Sequence, residues 1–254
     1  MPVLFLGHGS PMNAIELNEF SRTWQDMGKS LPRPAAVLCI SAHWETSGTF
    51  VTAMQKPATI HDFGGFPQAL FDVEYPAPGN PALAVEAKNG ITKTGVELDQ
   101  NWGLDHGCWS VMKHLYPDAD VPVIQLSLDY RQSPKYHFEL AAELGALREK
   151  GVLIMGSGNM VHNLRVLDWH KPDNGFDWAQ EANAKMKKLI LADDFQQLIN
   201  YKMLGHDVEM SVPTPEHFLP LLYALGLKEK NEEISIFNDK LVMGSISMTS
   251  FKIG

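Results

Sequence analysis

The chain is poor in the features that announce common functions. It has two cysteines, Cys39 and Cys108, in 254 residues. That count and spacing allow no disulfide framework and no CxxC zinc knuckle. Cys39 sits within an apolar run, where a thiol serves as a small buried hydrophobe. Basic residues are outnumbered, 21 against 30 acidic, for a net charge of −9, and no basic run occurs. This argues against nucleic acid and anionic membrane surfaces as partners. No apolar run approaches membrane-spanning length, and the first residues read as a strand rather than a signal segment. A cytoplasmic location is the expectation.

Signature loops are missing too. There is no GxxxxGK[ST], so phosphate binding would lack its lysine. Gly156-Ser157-Gly158 begins a dinucleotide turn, but Val161 stands where the third glycine belongs. No GxSxG presents Ser10 as a nucleophile, and no HExxH helix exists.

What remains is an ordinary globular composition, 44% hydrophobic and 20% charged. Strand-like runs, Val3–Leu6, Ala35–Ser41, Thr49–Met54, Val121–Leu128 and Val152–Met155, alternate with helical segments. Asn13–Met27 carries apolar residues at helical spacing. Asn80-Pro81, Ser133-Pro134 and Thr214-Pro215 each read as an N-cap followed by proline in the first turn, starting helices to about Lys88, Lys150 and Leu225. Residues 56–80, with HDFGGFP and YPAPGNP, read as an ordered loop. Ile234–Phe237 and Leu241–Phe251, joined by Asn238-Asp239-Lys240, read as an antiparallel hairpin. The pattern predicts one α/β domain over residues 1–254. Its sheet is mostly parallel, with helices on both faces and a C-terminal antiparallel hairpin. No repeat or linker divides it.

Four histidines stand at strand ends or helix starts: His8 in PVLFLGHGSP, His43 in AAVLCISAHW, His162 in VLIMGSGNMVHN and His217 in VPTPEHF. The carboxyl ends of parallel strands form the edge where ligands bind in such sheets. Each histidine also has a plain reading: a turn residue at His8, a hydrogen-bonded core residue at His43, a helix-start residue at His162. Together they suit a metal with open positions, Fe(II) or Zn(II). Asn159 and Asn163 are placed to orient the His162 ring. The first turn of a helix would favour a neutral His217. Glu216 beside it is a helix-dipole carboxylate or a competing ligand. His106, framed by Asp105 and Gly107, is an acid–base candidate or a cap residue. His61 on the aromatic loop and Arg165 are substrate-contact candidates, against loop packing and a surface position. His114, His137, His170 and His206 receive no role.

The motifs GHGSPMN, SAHW, HDFGGFPQAL, YPAPG, WGLDHG, GSGNMVHNLR and PTPEHFLPLLYALG together resemble one family from Val3 to the C-terminus. It is the 4,5-DOPA extradiol dioxygenase family, within the class III extradiol ring-cleavage dioxygenases, and the bacterial members resemble the chain most. The resemblance implies a mononuclear metal centre and O2-dependent opening of a catechol ring beside its hydroxyls. His8 and His43 match the family's paired metal histidines, and His162 and His217 match the other two histidines grouped there. In the protocatechuate-type relatives the third ligand is a carboxylate, whereas here the late position reads Glu216-His217. Under this reading His162, or else His106, takes the phenolic proton, and Arg165 pairs with a substrate carboxylate. A zinc hydrolase using the same histidines and a non-catalytic metal-binding relative are the competing readings. The sequence is silent on oligomeric state.

Overall fold

The computed structural model describes all 254 residues, Met1–Gly254. Ten strands form in chain order: β1 (Val3–Gly7), β2 (Ala36–Thr46), β3 (Thr49–Thr52), β4 (Val96–Asp99), β5 (Val123–Asp129), β6 (Val152–Gly158), β7 (Ile234–Phe237), β8 (Leu241–Val242), β9 (Ile246–Ser247) and β10 (Ser250–Ile253). Eight of them make one sheet in the order β4-β3-β5-β2-β6-β1-β10-β7. The centre, β5-β2-β6-β1, is parallel throughout. β10 adds antiparallel to β1 and β7 antiparallel to β10, as the expected C-terminal antiparallel element.

β1, β5 and β6 are buried along their whole length and β2 over Ala36–Ala42, as parallel strands covered on both faces must be. Alternate residues feed two separate cores. Val3, Phe5, Leu38, Ile40 and Ile154 join a core of 43 residues on one face. Leu4, Leu6, Val37, Cys39, Leu153 and Met155 join a core of 26 on the other. Truncating one such leucine to alanine would cost about 2–5 kcal/mol. No helix is long and apolar enough to cross a membrane.

Local chemistry moved several boundaries. The run from Asn13 splits into a 3-10 turn, Pro11–Ala14, and a helix, Glu19–Ser30. Asn18 separates them because its side chain accepts the Phe20 and Ser21 N–H groups in a capping box. Pro134 does start a helix, but it ends at Ala141, and 3-10 and α segments continue to Glu149. The final hairpin is interrupted. Met243 and Gly244, both at positive φ, turn β8 back onto β9 as a small separate sheet before β10 rejoins β7.

The helix expected from Thr214-Pro215 begins only at Leu219. Leu219 N–H bonds the Pro215 carbonyl, but Pro220 has no N–H to give the Glu216 carbonyl, so this turn is not continued as regular helix. His217 therefore lies in a tight turn, and the dipole argument for its neutrality does not apply.

Candidate metal centre and catechol cavity

The four histidines meet at the carboxyl edge of β1, β2 and β6, which are neighbours in the sheet. His8 follows directly on β1. His43 is swung out by an irregularity in β2: Ile40 pairs with Leu126 and Glu45 with Leu128, five steps on one strand against two on the other. His162 follows β6, where its N–H bonds the Ser211 carbonyl. His217 is held by its own carbonyl, which accepts the Asn159 N–H at 2.8 Å. That approach needs Gly158, because a Cβ there would lie 2.2 Å from the His217 carbonyl oxygen. Gly107 allows a second close approach. A Cβ on it would lie 2.4 Å from Ser41 Oγ and 2.9 Å from His43 Cδ2.

His8, His43 and His217 each place a ligand atom within 4.8 Å of the others'. The contacts behind each ring indicate which nitrogen faces the centre. Ser157 Oγ donates to the Gly107 carbonyl at 2.5 Å, so it accepts from His8 Nδ1 at 3.0 Å. The His8 Nε2 lone pair is thereby free, and it lies 3.2 Å from His43 Nε2. His43 Nδ1 faces Asp62 Oδ2 at 3.3 Å, and His217 Nδ1 faces Glu216 Oε1 at 3.2 Å. Backing of the far nitrogen by a carboxylate or hydroxyl is the usual support of a metal-binding imidazole.

Electrostatics agree with this donor set. Burial, then the neighbouring imidazoles, push His8 and His217 well below the ordinary histidine pKa. Burial also lowers His43, and it brings His162 down to about 4. Neutral imidazoles with converging lone pairs are the form a metal ion requires. The three residues therefore fit a mononuclear divalent metal.

Asp62 is the residue that sequence reasoning missed. Its Oδ1 accepts the His106 backbone N–H at 2.9 Å. Its Oδ2 lies 3.0 Å from His106 Nδ1 and 3.3 Å from His43 Nδ1. Neither side-chain contact is aligned as a hydrogen bond, and Asp62 Oδ2 and His106 Nδ1 have no other partner. Burial would raise the Asp62 carboxyl, but His106 and His43 together hold it below its ordinary value. The available signal was its place in HDFGGFP, the loop on which only His61 was singled out.

The remaining candidates separate clearly. His106 is the first residue of the helix His106–Leu115, whose N-cap is Asp105, accepting the Cys108 N–H, and its ring centroid lies 3.9 Å from that of His43. His162 stacks on His217 at 3.5 Å and 9°. No protein hydrogen bond fixes its ring: Asn159 Nδ2 goes to the Ser247 carbonyl and Asn163 Nδ2 to that of Met210, so neither asparagine orients it. His61 Nε2 bonds the Val73 carbonyl at 2.9 Å, which ties the loop to itself. Arg165 is exposed on the 3-10 turn Leu164–Val166. Neither His61 nor Arg165 lines the cavity of about 340 Å³ that opens over the histidines.

The family described as the catalytic LigB subunit of aromatic ring-opening dioxygenase matches residues 2–250. A protein of Escherichia coli (strain K12) named 4,5-DOPA dioxygenase extradiol is 50% identical, over 100% of this chain and 95% of its own length. A Beta vulgaris protein of the same name is 33% identical, over 98% and 94%. The crystal structure of an uncharacterized Escherichia coli K12 protein superposes with a TM-score of 0.87 at 43% identity, covering both chains fully. With the converging imidazoles in place, these matches settle the family: the chain belongs to the LigB-type extradiol ring-cleaving dioxygenases.

Proposed function

We propose that the whole chain acts as a single catalytic domain that opens catechol rings, DOPA or a simpler catechol, with O2. His8, His43 and His217 would hold the metal, and the product is a ring-opened semialdehyde containing both oxygen atoms. The observation that carries this reading is the convergence of His8, His43 and His217, with Ser157 and Glu216 hydrogen-bonded to Nδ1 of His8 and His217 and the Asp62 carboxylate 3.3 Å from Nδ1 of His43. Bound Fe(II) would supply Lewis-acid chemistry and the redox chemistry that oxygen addition requires; Zn(II) would supply only the first. Glu216 then orients His217 rather than serving as third ligand.

The chain's own residues account for the rest. His162, neutral and with both ring nitrogens free of protein partners, takes a phenolic proton from the incoming catechol. Stacking on His217 keeps its ring over the site. His106, whose Nδ1 lies 3.0 Å from Asp62 Oδ2, is the second proton-accepting imidazole, beside His43. Phe63, Phe66 and Leu167, half-buried on the cavity wall, shield the ring from water. Breakdown of aromatic compounds in the cytoplasm is the proposed setting.

The test is O2 uptake by protein reconstituted with Fe(II), with formation of a yellow ring-opened product from DOPA or simple catechols. Absence of both, at full metal loading, would overturn the reading. Ester or amide hydrolysis by the zinc-loaded protein without oxygen would replace it.

A further inference from the structure

Asp62 and His106 hold a pair of atoms that the first metal site does not explain. Asp62 Oδ2 and His106 Nδ1 lie 3.0 Å apart, both are buried, and neither makes a hydrogen bond. His43 Nδ1 lies 3.3 Å from the same carboxylate oxygen, and the three ligand atoms lie within 4.8 Å of one another. A hydrogen bond of such length is normally in line, and these contacts are not. Ligands of one ion combine closeness with misalignment, because each lone pair points at the ion and not at the neighbouring ligand. With bonds of about 2.0–2.1 Å, a tetrahedral zinc ion spaces its N and O ligands about 3.3 Å apart. The group is also prearranged. Asp62 Oδ1 accepts the His106 N–H at 2.9 Å, which leaves Oδ2 for the rings. His106 is only 4% exposed, yet all three residues line the cavity, so an ion can arrive from it. The corresponding group on the other side, His162, Glu216 and His217, lacks this feature. There Glu216 Oε1 already hydrogen-bonds Thr214 Oγ1 at 2.8 Å and His217 Nδ1 at 3.2 Å.

We propose that Asp62, His106 and His43 form a second divalent-cation site, suited to Zn(II), beside the catalytic metal, and that filling it inhibits ring opening. The inhibition rests on the ring-opening reading; the site does not. Asp62 Oδ2 and His106 Nδ1 are the firm ligands. His43, whose Nε2 serves the catalytic metal, adds Nδ1 once the proton on that nitrogen leaves to solvent, as a ligand must be deprotonated to bind. With the ion on Nδ1, the His106 ring keeps its proton on Nε2 and can no longer accept one from a catechol.

Titration of chelator-stripped protein with Zn(II), with bound ions counted by equilibrium dialysis, tests the site. A second ion per chain is expected, held more weakly than the first because it joins an existing cation. At zinc concentrations that fill the first site, His106→Gln and Asp62→Asn should each keep the first ion and lose the second. Fe(II)-loaded protein is then assayed with added Zn(II) while its iron content is followed. Turnover should fall about tenfold or more with the iron retained, as expected for a blocked proton acceptor. The residual turnover of His106→Gln should not respond to zinc. A single bound ion in the unmodified protein overturns the proposal, as does a second ion that persists in both variants. Turnover that falls only in step with lost iron, or not at all, overturns the inhibitory role. If Fe(II)-loaded protein opens no catechol, the ring-opening reading fails, while the ion count still decides the site.

Discussion

His8 and His137 are buried to the same degree, 1% and 0% exposed. Burial pushes both below the ordinary histidine value, His137 to about 4. Their surroundings then diverge. His137 lies on the helix Pro134–Ala141, where Nδ1 shares a hydrogen bond of 3.1 Å with Tyr223 and Nε2 has no well-formed hydrogen bond. Asp129, the charged group near it, works against the shift. Around His8 the neighbours are four more imidazoles, and each deepens the shift. A neutral buried histidine is therefore an ordinary product of packing. A site appears only where several are turned inward by partners behind them.

The sharpest way to break that comparison is to remove one histidine from each place. His8→Ala or His43→Ala is expected to abolish stoichiometric metal binding, and turnover with it. His137→Gln should leave metal content unchanged. Metal analysis of the purified variants decides this. Retained stoichiometric metal in both His8→Ala and His43→Ala would return those residues to the same class as His137.

Within the cluster, the unsupported ring should behave differently from the backed ones. His162→Ala is expected to keep the metal while kcat falls by about 10²–10⁴, the range for loss of a general base. Normal turnover would remove His162 as the proton acceptor.

Asp62→Asn should have a smaller effect, because it weakens support and removes no ligand. About 10–100-fold in metal affinity or activity is expected. Competition with a chelating dye reads the affinity directly. An unchanged affinity together with unchanged kcat would reduce Asp62 to a loop anchor for the His106 N–H.

Much of this was legible in the sequence for a physical reason. His8 and His43 follow apolar runs whose parallel pairing forces their ends to one edge, so local pattern and topology give the same answer. The family motifs extended that to His162 and His217. The parts that were not legible depend on contacts between distant segments. Asp62 acts from an aperiodic loop on residues 19 and 44 positions away. Ser157 fixes the His8 tautomer only because the Gly107 carbonyl arrives beside it. The unhelical turn at His217 was readable in principle from Pro220, had its missing N–H been weighed against the N-cap signal at Thr214.

The smallest effect isolates the plain member of the comparison. The folded pKa of His137, about 4, lies below its unfolded value of 6.5. Between those values the unfolded chain binds a proton that the folded one refuses, so stability falls as pH drops from about 6.5 towards 4. The loss is at most about 1.4 kcal/mol per pH unit. The cluster histidines have lowered values as well, so the unmodified protein alone cannot assign the slope. His137→Gln can retain a polar partner for Tyr223 but does not titrate. Urea midpoints of the two proteins should differ by a constant amount above pH 7, set by the altered packing. Below pH 6.5 the unmodified protein should lose stability faster, so its margin over the variant shrinks steadily to about pH 4. A margin that stays constant across that range would mean His137 is protonated in the fold and that burial does not set its charge.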